Sequence, residues 1–280
     1  MAGFGEDSEE KTEEVEEVED SQTEGNAFSK LKQMSKSVGE DGQKNYINVG
    51  IYGKPKTGKT HLGMSAPGPV YFIDTESGTN PLEGKFKNRE IYINSINVSE
   101  EDYSKDHVKS WEKFVEAVNT AVEAEDELDT VVVDSTTDIW SYVQNYCKVE
   151  IWGLAPEERL NQQWDWGDIN QRYTNLIQKL MKADFNLILT AKAREEYGGA
   201  GDPTGNFEPK WQNKTSHWLD LVVYNEKDIQ DDGSTRTKST VEASRYDLSG
   251  TDTIMGRQIE MMEWDDLEEV VQEARDGGSD

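Results

Sequence analysis

Hydrophobic and polar positions change their period near residue 46 of the chain. From there, short runs rich in β-branched and aromatic residues alternate with stretches whose apolar residues recur every three or four positions, the pattern of a parallel sheet covered on both faces. The strands predicted are 46–52, 70–74, 90–93, 130–134, 186–191 and 219–224. Helix 108–123 aligns Trp111, Phe114, Val115, Val118 and Val122 on one stripe, and helix 169–181 does the same with Tyr173, Leu176, Ile177 and Leu180. Stripes of this width face a core. Beyond Tyr224 the spacing changes, and 236–246 and 253–261 read as antiparallel strands around a turn at 247–250, followed by a helix at 265–275. The expected fold is α/β: a mainly parallel twisted sheet with helices on both faces and an antiparallel C-terminal extension. The core is expected over 44–262, with an acidic helix and tail at 263–280.

Composition changes the picture at the N-terminus. Asp and Glu number 57 against 29 Lys and Arg, a formal charge of −28. Residues 1–25 hold eleven carboxylates against Lys11 alone, so this segment contributes 11 − 1 = 10 negative charges. Such a run repels itself and lacks apolar surface to offset its ordering entropy, so 1–43 is expected to be a largely disordered acidic tail. Phe28, Leu31, Met34 and Val38 allow a short helix at 28–38 within it. A tail of this kind suits a docking segment for a replication or recombination protein. The remainder still carries −28 + 10 = −18, which fits either an ordinary acidic protein or a salt-rich cytoplasm, where screening shrinks the Debye length to about 3 Å near 1 M salt.

Several classes are excluded. One cysteine rules out a disulfide scaffold, and His61, His107 and His217 have no zinc spacing. No apolar run approaches the roughly 18 residues of a membrane helix, and the acidic N-terminus is unlike a secretory signal. A cytoplasmic chain with no membrane partner is expected. Trp140, Trp152, Trp164 and Trp166 read as core or subunit packing residues in preference to base stacking, and Cys147 as a buried, inert thiol.

The strongest chemical signal is GKPKTGKT at 53–60: Gly53, Lys54, Pro55, Lys56, Thr57, Gly58, Lys59 and Thr60. It follows a hydrophobic strand and precedes a segment that can continue as helix from His61, which is the context a P-loop requires. Backbone amides and the helix start face phosphate, Lys59 reaches the β- and γ-phosphates, and Thr60 ligates Mg2+. ATP and Mg2+ are the cofactors implied. The metal also needs a carboxylate at the end of a buried strand, and Asp134 after Val131, Val132 and Val133 supplies one. Ser135 follows it, where many ATPases carry a water-activating glutamate. The base must come from elsewhere, and Glu76, just after the strand ending in Asp74, is the candidate.

These three motifs, GKPKTGKT, YFIDTESGT and TVVVDS, in that order, resemble the RecA/RadA recombinase ATPase core, and within it the Sak-type proteins of phages and archaeal viruses linked to single-strand annealing. The resemblance covers about 46–262 and implies a RecA-like P-loop NTPase working as a ring or filament of identical subunits on single-stranded DNA. It places a γ-phosphate sensor at Thr190 and, at Lys192 or Arg194, a cation reaching a neighbouring subunit's nucleotide, the alternative being a local salt bridge. It also implies a DNA-contacting loop after that strand. Residues 197–214, with four Gly and two Pro, read as an irregular loop in which Tyr197, Phe207 and Trp211 would stack on bases and Lys210 and Lys214 would meet phosphate. A flexible lid is the competing reading. A hexameric nucleic-acid motor and an ATP-gated interaction module remain as functional alternatives.

Overall fold

A computed structural model describes residues 46–96, 103–155, 158, 163–199, 201–230, 232–246, 253–260 and 262–276. The acidic tail, its 28–38 helix and the 247–250 turn lie outside these residues. The chain divides into Met1–Lys44 and Asn45–Asp280, and every described residue belongs to the second unit.

Among the described residues nine strands form one sheet: β1 (Asn48–Gly53), β2 (Val70–Asp74), β3 (Ile91–Ser95), β4 (Thr130–Asp134), β5 (Asn186–Tyr197), β6 (Pro203–Pro209), β7 (Leu221–Ile229), β8 (Thr235–Ser244) and β9 (Gln258–Glu260). Their order is β3-β2-β4-β5-β1-β7-β8-β9, with β6 pairing to β5. The first six strands of that order run parallel, and β8, β9 and β6 add antiparallel edges. The α/β expectation holds, including the antiparallel extension.

Alternation of side chains across the strands builds two cores. Val131, Val133, Leu187 and Leu189 point to one face, where they meet α3 (Tyr103–Glu123), α4 (Thr136–Tyr146) and α5 (Gln163–Met181) through Phe114, Ile139 and Tyr173. Val132, Ile188, Val49 and Ile51 point to the other, against α1 (Lys59–Ser65) and α7 (Trp264–Asp276) through Leu62, Trp264 and Leu267. A central strand apolar at every position is what a sheet covered on both faces requires. The inner face of the C-terminal helix is therefore part of this core. Helices α2 (Glu83–Phe86) and α6 (Thr215–Trp218) are single turns.

Two expectations are corrected. Residues 197–214 are not irregular throughout: β5 continues to Tyr197, and β6 pairs back on it with Arg194 opposite Glu208, while 210–214 lies outside any strand. The breakers sit where a hairpin tolerates them. Pro203 and Pro209 end the strand, and Gly201 and Gly205 take φ of 82° and 85°. The strand expected at 253–261 shortens to β9, because Gly256 takes φ 83° and turns the chain before Gln258.

Register carries these elements to a common end. Gly53 on β1 lies beside Lys192 on β5 and Asn225 on β7, and Asp74 on β2 lies beside Asp134 on β4. The C-terminal edge of the parallel strands thus gathers every group expected to handle phosphate.

Candidate nucleotide site

The 53–60 turn folds as a phosphate-cradling loop. Lys56 at φ 65° and Gly58 at φ 87° bend the backbone back on itself before α1. A Cβ on Gly53 would lie 2.2 Å from Asn225 O and 2.7 Å from Thr57 Oγ1, so only glycine lets β1 leave the sheet here. Thr57 Oγ1 donates to Lys54 O at 2.9 Å, and Asn225 Nδ2 donates to Thr57 O at 3.1 Å. Lys59 Nζ folds inward onto Gly53 O (3.1 Å) and Lys54 O (3.0 Å). Burial pulls its pKa below the usual lysine range, while Asp134 and Glu76 pull it up and Lys192 lowers it.

Thr60, Asp134 and Thr190 meet at one point. Thr60 Oγ1 donates to Asp134 Oδ2 at 2.6 Å, and Thr190 Oγ1 donates to Asp134 Oδ1. Asp134 is buried, and desolvation raises its pKa against the opposing pull of both hydroxyls. A buried carboxylate beside a hydroxyl, facing a phosphate loop, is a donor set that fits Mg2+, which takes few protein oxygens and completes its shell with phosphate and water. Among the described residues no cluster of three or more His, Cys, Asp or Glu competes for a metal. Asp74, by contrast, is structural: its oxygens accept from the backbone N–H groups of Glu76 (2.9 Å), Gly78 (3.2 Å) and Thr79 (3.1 Å) and so fix the loop that carries Glu76.

Glu76 faces this group. Its Oε1 lies 3.0 Å from Lys192 Nζ and 3.0 Å from Ser135 Oγ. Burial raises its pKa, Lys192 opposes this, and Asp138 reinforces it. Lys192 therefore pairs within its own chain, with Glu76 and with Asp138. Asp138 escaped the sequence reading although it lies four residues after Asp134, one helical turn into α4, a spacing that could have drawn notice.

Loop, carboxylates and β8 enclose a cavity of about 580 Å³. Lys56 through His61, Glu76, Gly78 and Asp134 line it. Pro81, Leu82, Met262 and Thr237 form an apolar end that no sequence motif marks, because its residues come from three distant segments. A chamber with a cationic phosphate end and an apolar end has the chemistry to take a nucleotide. His61 joins the lining while its ring packs edge-on to Phe86 at 5.1 Å; burial lowers its pKa, helped by Lys85. Lys54 points away, its Nζ 4.1 Å from the centre of the Phe207 ring.

The expected DNA-contacting residues do not form one surface. Trp211 is 3% exposed and packs over Gly50 and Leu219, so little of its ring is open to a base. Phe207 stacks on Tyr224, with ring centroids 6.1 Å apart, and Tyr197 lies exposed at the end of β5. Lys210 contributes its backbone here, accepting from Thr137 Oγ1 at 2.8 Å. Arg194 pairs with Glu208 at 2.8 Å, not with Glu195 or Glu196. Lys214, Arg194 and Trp211 join Trp140, Trp166, Asn170 and Gln212 around a second cavity of about 460 Å³. Trp140 and Trp166 were read as packing residues in preference to base stacking; their rings stack 6.4 Å apart and Trp166 is 39% exposed.

A family model described as an AAA domain matches residues 45–251, well over half of the chain. No curated protein matches it. No helix among the described residues is long and apolar enough to cross a membrane.

Proposed function

The chain belongs to the AAA domain family, and on that premise we propose that it is a Mg2+-dependent ATPase acting on single-stranded DNA in annealing or recombination, in the manner of RecA-like proteins. The observation that carries the ATPase reading is that Lys59, Thr60, Glu76 and Asp134 line one cavity of about 580 Å³.

The 53–60 backbone holds the phosphate chain, and Lys59 leaves Gly53 O and Lys54 O to meet the β- and γ-phosphates. Mg2+ held by Thr60 and Asp134 would neutralise charge building on those phosphates. Glu76, its proton affinity raised by burial, takes a proton from the attacking water. Water oxygen bonds to the γ-phosphorus as the bridging bond to the β-phosphate breaks, leaving ADP and inorganic phosphate. Thr190, bound to Asp134 on the strand between β1 and β4, senses whether the γ-phosphate is present.

The DNA reading is supported by the cavity that joins stacked Trp140 and Trp166 to the cations of Lys214 and Arg194 and to the amides of Asn170 and Gln212. Aromatic faces with nearby cations are the means by which proteins hold single strands. Of the two cations considered for a neighbour's nucleotide in a ring or filament, Arg194 is favoured. Lys192 already serves Glu76 and Asp138 of its own chain, whereas the Arg194–Glu208 pair is exposed and weakly held. The acidic tail is proposed to dock a replication or recombination protein.

The test is ATP turnover with and without single-stranded DNA for wild type, Lys59→Ala and Trp166→Ala. Turnover stimulated by DNA, absent in Lys59→Ala and unstimulated in Trp166→Ala, is expected; DNA-indifferent turnover would remove the nucleic-acid assignment.

A further inference from the structure

Glu76 is held from two sides, and both supports converge on one residue. Lys192 Nζ, from β5, lies 3.0 Å from Glu76 Oε1 and 3.0 Å from Asp138 Oδ1. Ser135 Oγ lies 3.0 Å from Glu76 Oε1 and 3.0 Å from Asp138 Oδ2, and can donate to either. Asp138 Oδ2 also accepts from Thr75 Oγ1 at 2.9 Å, and Thr75 Oγ1 in turn accepts from Ser135 N at 2.8 Å. Asp138 is thus fixed by the loop after β2 and by the start of α4, and it touches both groups that touch Glu76.

An exposed Lys–Glu pair by itself holds its geometry weakly. A lysine also bound by a second carboxylate, itself anchored by hydroxyls, loses that freedom. Lys192 is 40% and Glu76 41% exposed at the side chain, while Asp138 is 21% exposed. Asp138 is therefore more enclosed than either member of the ion pair it supports. An acid in the first turn of a helix commonly serves only the helix dipole. Here its oxygens face Lys192, Ser135 and Thr75, side chains that lead to the base.

We propose that Asp138 is a positioning residue for hydrolysis: it anchors Lys192 and Ser135, and through them sets where the Glu76 carboxylate points. The proposal rests on the reading of Glu76 as the base. Lys192 lies two residues past Thr190 on the strand that continues into the β5–β6 hairpin, so the same contact ties the hairpin's base to the catalytic carboxylate.

The experiment is steady-state ATP turnover by the full chain carrying Asp138→Asn, Lys192→Met, both, or Glu76→Gln, with binding of a fluorescent ATP analogue and thermal unfolding measured alongside. Asp138→Asn is expected to lower kcat about 10²-fold, the scale of a misplaced catalytic group, with KM for ATP within about two-fold of wild type. Because Asp138 works largely through Lys192, the double variant should lose no more than about three-fold beyond the worse single variant. Wild-type kcat in Asp138→Asn, multiplied losses in the double variant, or a rise in KM matching the fall in kcat would overturn the proposal. Should Asp138→Asn fail to fold, Asp138→Glu carries the same test, since it keeps the charge but displaces the carboxylate. Normal turnover in Glu76→Gln would remove the base assignment and this proposal with it; loss in Glu76→Gln with none in Asp138→Asn would remove this proposal alone.

Discussion

Thr60 Oγ1 donates to Asp134 Oδ2 at 2.6 Å, so the first turn of the P-loop helix is tied directly to the end of β4. The bond joins the two groups that would share a metal, and it opposes the desolvation that raises the carboxyl's pKa.

That carboxylate is expected to favour function over stability. Its folded pKa is raised, so the folded chain binds more protons than the unfolded chain between the two values. Its contribution to stability therefore falls as pH rises from the unfolded value through the folded one. Asp134→Asn removes the charge but keeps the shape. It should raise thermal stability near pH 7.5 in the nucleotide-free protein by on the order of 1 kcal/mol, while lowering ATP turnover about 10²-fold or more. Calorimetry and a phosphate-release assay check both arms, and turnover that survives in Asp134→Asn would contradict the metal assignment.

Lys59 Nζ bonds to the carbonyls of Gly53 and Lys54 in its own loop, so its loss should leave the fold intact and remove nucleotide linkage. Wild type is expected to gain about 2.7 kcal/mol of stability at an ATP concentration of 100 Kd, seen as a rise in Tm. Lys59→Ala should melt near the wild-type temperature without ATP and show little rise with it. A full ATP-dependent shift in Lys59→Ala would argue against the loop as the phosphate site.

Local chemistry made much of the site legible in the sequence. GKPKTGKT names its own loop, and Asp134 and Glu76 end or follow strands whose apolar runs are clear. What stayed hidden depends on distant segments meeting. Asn225 braces Thr57 from β7, and Met262 and Thr237 close the cavity from the C-terminal extension. Trp211 looked like a stacking residue because its neighbours in sequence are polar; its burial is decided by Gly50, whose missing side chain leaves room for the indole, since a Cβ there would lie 2.5 Å from it. The β5–β6 hairpin was hidden by glycines and prolines that mark its ends and turn as well as they would mark a loop.

The two kinds of tryptophan should separate by experiment. Trp211→Ala empties a buried site and is expected to cost about 3–5 kcal/mol of stability. Trp166→Ala, at a partly exposed ring, should leave Tm nearly unchanged and weaken single-strand binding by about 1–3 kcal/mol. Fluorescence anisotropy with a labelled oligonucleotide and thermal melts read the two effects, and equal binding by Trp166→Ala and wild type would remove the indole pair from the nucleic-acid site.

Cys147 is buried beside α4, and desolvation pushes its thiol up to about 11. Thiolate is the reactive form, so alkylation by iodoacetamide at pH 8 should be far slower in the folded protein than in urea. Comparable rates in the two states would show that the helix around Cys147 opens readily.

The central claim is that Glu76 activates water for hydrolysis of ATP bound on the 53–60 loop. Its most direct test is a single-turnover measurement of ATP cleavage by wild type and Glu76→Gln, with bound ATP quantified in the same samples. Glu76→Gln is expected to bind ATP with affinity within a few-fold of wild type and to cleave it about 10²- to 10⁴-fold more slowly; cleavage at the wild-type rate with ATP fully bound would contradict the account.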